Sequence, residues 1–274
     1  MMKMPRLRAN GWIGAVLIGT LVATVLIALV WTPFNPLALD LHHRLQPPSA
    51  RHWMGTDEFG RDELSRIMSG AASSGFVALA TVVLAITGGV SIGLVSGYLG
   101  GWPDRVVMTL NDAVLAFPGM LLALGVMMVL GASRYGIVFA LSLAYLPSVV
   151  RVVRGTVLSL REKEYIEASR VIGNSEWITM RRHVLPNCLA PVAVLATSMF
   201  GWVLLSESAL SFLGLGVPPP ASTWGNMLAS GRDHMQDAIW LGVGPGMCIA
   251  LSLLGINLLG DALRDHLDPR MVRQ

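Results

Sequence analysis

Lysine is almost absent from this chain, and that bounds its chemistry. A phosphate-cradling P-loop needs a Gly-Lys pair, whereas Lys3 and Lys163 follow Met2 and Glu162. ATP hydrolysis is therefore not expected here. No histidines have the H-E-x-x-H zinc spacing and no G-x-S-x-G nucleophile elbow is present. Cys188 and Cys248 sit among apolar residues with no ligand-spaced partner, which reads as two buried thiols. His42, His43 and His52 fall in a polar stretch and read as solvated side chains. The expectation is of no catalytic residue, no metal site and no cofactor in this chain.

Other charged residues sit where they call for a reason. Asp57, Arg61 and Asp62, spaced with Gly55, Thr56 and Gly60, form a compact cluster. It reads either as a contact for another protein or as a self-satisfied charge network folding a loop. Glu207 and Asp112 border long apolar runs. A charge at membrane depth is costly and tends to line a water-filled path or to pair. Both are candidates for a translocation path or gate, against structural pairing for Glu207 and a snorkelling or capping role for Asp112.

The elements that position these groups follow from composition. Of 274 residues 53% are hydrophobic and 14% charged, against about 25% charged in soluble domains, and the mean hydropathy is +0.60. This is an integral membrane protein. A net charge of +3 fits basic flanks of apolar spans better than a nucleic-acid surface. A spanning helix needs about 20 mostly apolar residues. Uncharged runs meet that need at 11–31, within 67–103, and at 113–133, 184–206 and 238–260, while 135–150 is shorter with Arg134 and Arg151 to snorkel at its ends. The basic start resembles a signal peptide, but its apolar run is too long and lacks a small-x-small end, so it reads as a retained span. The expected architecture is all-α with six spans. It divides into a tail and first span (1–31), an outer, periplasmic loop (32–70) and a core of five spans (71–274). Of the 20 basic residues, 14 fall in the segments that share a side with the N-terminus, Lys3, Arg6, Arg8, Arg105, Arg264, Arg270 and Arg273 among them. By the positive-inside rule both termini are cytoplasmic.

Seven of those basic residues (Arg151, Arg154, Arg161, Lys163, Arg170, Arg181 and Arg182) lie in or just before one charged island, "KEYIEASRVIGNSEWITMRRHVLPN". The spacing predicts a helix over 160–172 with Tyr165, Ala168 and Ile172 on one side. Gly173 supplies a φ > 0 stop, Ser175 caps a second helix over 176–184, and Pro186 marks the start of the fifth span. A helical hairpin held at the membrane face, residues 160–187, is a lever that a soluble partner can grip.

Glu167, Ala168, Gly173, Leu185 and Pro186, with Ser169 in place of a second alanine, resemble the E-A-A…G…L-P signature of permease subunits in bacterial ATP-binding-cassette importers. His183 stands where many have isoleucine. "HWMGTDEFGRDELSRIMSGA", "ESALSFLGLGVPPPASTWGNML" and "GDALRDHLDPR" are similar to the C-type permease of the dipeptide, oligopeptide and nickel branch. The resemblance implies a type I importer permease whose hairpin docks on a cytoplasmic ATPase. It implies a second homologous permease, two ATP-binding subunits that hold ATP and Mg, and an extracytoplasmic binding protein. The site would be the bacterial inner membrane, the cargo peptides or a nickel or metal chelate, and the mechanism alternating access. The rival is a self-sufficient secondary transporter or channel. It predicts several midplane ionisable residues, where this chain offers Glu207 and Asp112.

Overall fold

The computed structural model describes residues 9–267. The expected placements of Lys3, Arg6, Arg8, Arg270, Arg273 and the two termini lie outside them. Ten α-helices follow one another among the described residues: α1 (Ala9–Ala28), α2 (Glu63–Leu99), α3 (Gly101–Leu115), α4 (Gly119–Leu130), α5 (Arg134–Arg161), α6 (Glu164–Val171), α7 (Glu176–Thr179), α8 (Leu185–Phe212), α9 (Trp224–Gly231) and α10 (Trp240–Leu267). A π-helical turn, Met180–Val184, joins α7 to α8 without a break. Extended pairing among the described residues is limited to one bridge, Thr56–Asp62. The chain is all-α.

Among the described residues five helices are long and apolar enough to cross a membrane: those starting at Asn10, Glu63, Arg134, Glu176 and Trp240. The third expected span, 113–133, is not one continuous helix. α3 and α4 meet at an angle of 89°, because Pro118 bars Phe117 from helical geometry and brings no N–H of its own. α4 has 12 residues, about 18 Å of helix, well short of a core about 30 Å thick. The count reaches six only if this bent pair is one span. α2 also departs from expectation. It starts at Glu63, inside the stretch read as loop, and its 37 residues run to about 56 Å, so it projects beyond any bilayer.

The centre of the bundle is α2 against α5. Gly89, Gly93 and Gly97 recur every four residues, and a Cβ on each would meet Val149 at 2.5 Å, the Val150 carbonyl at 2.7 Å and the Arg154 carbonyl at 3.1 Å. Lipid gives no hydrophobic drive for helices to pair, so close backbone approach has to hold them through dispersion. The valine row Val149, Val150, Val153 and Val157 is correspondingly buried. α1 packs on α10 in the same way, where a Cβ on Gly14 would lie 2.7 Å from the Leu259 nitrogen.

Candidate functional site

The first helix of the hairpin is shorter than its sequence suggests. α5 runs to Arg161, the chain breaks at Glu162 and Lys163, and α6 begins at Glu164. Gly173, at φ +90°, ends the helix where a side chain would be strained. Its N–H donates to the Arg170 carbonyl (2.9 Å) and the Asn174 N–H to the Ser169 carbonyl (3.2 Å), closing a Schellman motif. Ser175 then accepts from the Ile178 N–H at 3.4 Å, starting α7. Pro186 sits in the first turn of a continuous α8 and interrupts nothing. Inside the hairpin, Ser169 lies 3.1 Å from Thr179 Oγ1 and accepts from Asn174 Nδ2 at 3.0 Å.

The buried side of α6 is Ile166 and Ser169, which leaves the expected face of Tyr165, Ala168 and Ile172 outward. Those three are exposed, together with Val171 (82%), Ile172 (80%), Trp177 (61%) and Ile178. Glu167, Gly173 and Pro186 are exposed as well, and Leu185 is half-buried. One further anchor went unread. The Arg170 guanidinium lies 5.3 Å from the Tyr98 ring centroid and 3.8 Å from Glu176, tying the hairpin to the end of α2.

At the opposite end of α2 the cluster around Asp57 faces inward. Asp57 Oδ1 accepts the N–H groups of Phe59 (2.8 Å) and Arg61 (2.9 Å). Its Oδ2 takes Arg61 Nε at 2.6 Å and the Arg66 guanidinium. Asp62 caps α2 through Ser65 N (2.8 Å) and meets His52 Nδ1 at 2.9 Å. His52 is therefore buried and stacked on Phe34 at 4.7 Å between centroids, not solvated as expected. Thr56 is buried, its Oγ1 donates to the His43 carbonyl at 2.5 Å, and its own carbonyl accepts Trp240 Nε1 at 3.2 Å. Gly55 and Gly60 hold φ of +77° and +74°, and a Cβ on Gly60 would strike the Asp40 carbonyl. Asp40 itself bonds His43 (2.7 Å), which keeps its carboxyl below the ordinary value. No group of three or more metal-ligating side chains exists among the described residues.

Glu207 is fully enclosed. Ser211 Oγ donates to its Oε1 (2.7 Å) and Ser74 Oγ to its Oε2 (3.2 Å), while Ser74 also accepts the Trp224 N–H at 3.2 Å. Trp224 Nε1 reaches the Ile67 carbonyl at 3.1 Å. The acid knits α8, α2 and the capped start of α9. Asp112 differs. Its Oδ1 meets Arg151 at 2.8 Å with both side chains largely exposed. Near it is a pair the sequence reading missed, Asp104 and Arg154, bonded twice at 2.6 Å and supported by Ser96 at 2.5 Å. An open apolar cavity of about 560 Å³ lies between α4, α8, α9 and α10, lined by Met120, Leu205, Phe212 and Ile249 among others.

A bundle of membrane-length helices carrying one helical hairpin with an exposed apolar side defines a multi-pass membrane protein. The chain belongs to the binding-protein-dependent transport system inner membrane components, whose family model matches residues 89–273, and so to the permeases of ATP-binding-cassette importers. A putative peptide transport system permease protein of Brucella suis biovar 1 is 42% identical over 259 residues, 94% of this chain and 87% of that protein. The dipeptide transport system permease protein of Alkalihalophilus pseudofirmus is 40% identical over 259 residues, 94% and 85% of the two chains. The di/tripeptide transport system permease protein of Pseudomonas aeruginosa is 40% identical over 269 residues, 96% and 89%.

Proposed function

We propose that this chain is the C-type permease of an importer for di- or oligopeptides, working by alternating access in the bacterial inner membrane. It pairs with a second, homologous permease, and the two contact two cytoplasmic ATP-binding subunits, which hold ATP and Mg; the chain itself holds no cofactor. An extracytoplasmic binding protein delivers the cargo. Both termini and the 160–187 hairpin lie in the cytoplasm, the 32–70 segment lies outside, and the bent α3–α4 pair completes the sixth span. Residues 71–274 form the moving core.

The observation that carries this reading is the exposed apolar side of the hairpin, Val171, Ile172, Trp177 and Ile178, on a turn locked by Gly173 and Ser175. Large apolar groups in water want a partner, and Glu167 beside them adds a charge for its rim. Peptide cargo is supported by the names of the relatives; a nickel chelate has no such support. Family membership also speaks against a self-sufficient transporter or channel.

The deciding experiment replaces Gly173 with valine. A β-branched residue at φ +90° costs about 1–2 kcal/mol, paid locally, so the permease should insert while dipeptide uptake is lost. Normal uptake by Gly173→Val would falsify the hairpin's role. Cysteines placed at Asn174 and Pro219 should be labelled from opposite sides of the membrane, Asn174 from the cytoplasm.

A further inference from the structure

Two ion pairs join α3 to α5, and they are built for different purposes. Asp104 and Arg154 share two bonds, Ser96 adds a third, and the side chains are only 12% and 27% exposed. Asp112 and Arg151 share a single bond of 2.8 Å and are 59% and 58% exposed. Neither makes a second side-chain hydrogen bond within the described residues. One carboxylate oxygen and most of a guanidinium are thus left to bind something else.

The place is as telling as the geometry. Arg151 lies 17 residues into α5 and ten before its end at Arg161, about 26 Å and 15 Å along the axis, which in the proposed topology is toward the inner end of the span. Asp112 stands in the last turn of α3, just before the 89° bend. An ion pair left this open at the inner end of a span is placed to meet water and a passing ligand. Hydroxyls continue the same side of α5. Ser148 and Tyr145 follow at three-residue steps, both partly open, and Tyr145 Oη lies 2.9 Å from Ser206 Oγ on α8.

We propose that Asp112 and Arg151 are a transit site for the two charged ends of a peptide. The guanidinium takes the peptide's carboxylate and Asp112 takes its ammonium group, the pair parting as the ligand enters and closing as it leaves. This rests on the peptide-permease reading above. The electrostatics suit passage rather than storage. The closed pair and the zwitterion-filled pair are both formally neutral, so neither state strands an unpaired charge. Binding that replaces one ion pair with two is favourable enough to admit a ligand and weak enough to release it, as conduction requires.

The test uses the complete transporter, with both permeases, ATPases and binding protein, reconstituted in liposomes and supplied with dialanine. Four variants are compared: Arg151→Gln, Asp112→Asn, the double neutral variant, and the charge-preserving Arg151→Lys. Losing a charge-assisted contact predicts uptake lowered about 10-fold or more in each single variant. The double variant should be as poor as the worse single or poorer, and Arg151→Lys should recover much of the loss. Co-purification of the ATPases with each permease reports assembly. A purely structural pair gives the opposite pattern, because removing both charges leaves nothing unpaired and restores uptake. Restoration in the double variant, wild-type uptake throughout, or failure of assembly in the double variant each overturns the proposal. If the unmodified complex carries no dialanine while binding and hydrolysing ATP, the peptide reading itself falls.

Discussion

The two polar excursions of this chain solve opposite problems with similar residues. Around Asp57 and Asp62, acids, arginines and a histidine turn inward, bond one another and lock the loop onto the start of α2. In the hairpin, polar groups such as Ser169, Thr179 and Asn174 supply the small interior, and the apolar side chains point outward. The difference teaches which excursion is finished within the chain. A loop whose Asp57 and Asp62 bond its own arginines and histidine closes on itself, whereas a hairpin with Trp177 and Ile172 exposed leaves an apolar side uncovered within the chain.

The largest effect that sharpens this contrast is expected from Asp57→Ala. It removes the shared acceptor of Arg61 and Arg66 and leaves buried cations unpaired, at about 3–5 kcal/mol. Thermal unfolding in detergent should show a strong loss, and an unchanged midpoint would mean the loop is not held by its charges. Ile172→Asp should behave in the reverse way. Stability should hold, while association with the ATPase should weaken about 30-fold, as for an apolar hot spot worth about 2 kcal/mol. Co-purification at graded salt measures it, and retained binding would move the contact elsewhere on the hairpin.

Ser169→Ala is smaller. It removes a bridge between α6 and Thr179, costing about 1 kcal/mol, visible as faster backbone hydrogen exchange across 164–179 with the rest of the bundle unaffected. The smallest change in stability belongs to Glu167→Lys, less than about 1 kcal/mol for an exposed charge. Its effect should appear in function, as a loss of substrate-stimulated ATP hydrolysis at equal permease content. Unchanged stimulation would leave the coupling to the apolar residues alone.

Periodicity and punctuation made much of this legible in advance. Gly173 and Ser175 announced the hairpin's turn because φ > 0 and a hydroxyl cap are local needs. Apolar length announced α1, α5, α8 and α10 because the bilayer sets it. Other features gave weak local signals. The kink at Phe117–Pro118 sits in an uncharged run that hydropathy reads as a single span. His52 looked solvated because its partner, Asp62, lies ten residues away and only the fold brings them together.

What the sequence by itself determined is the class of molecule and its punctuation: an apolar helical bundle, a charged hairpin and no nucleotide-binding lysine. These follow from composition and from interactions a few residues long. Only the tertiary structure decided which charges are spent on folding. Glu207 and Asp112 look alike as acids beside apolar runs, yet one is enclosed by Ser74 and Ser211 and the other lies open beside Arg151. Burial depends on neighbours contributed by distant helices, and no local pattern encodes that.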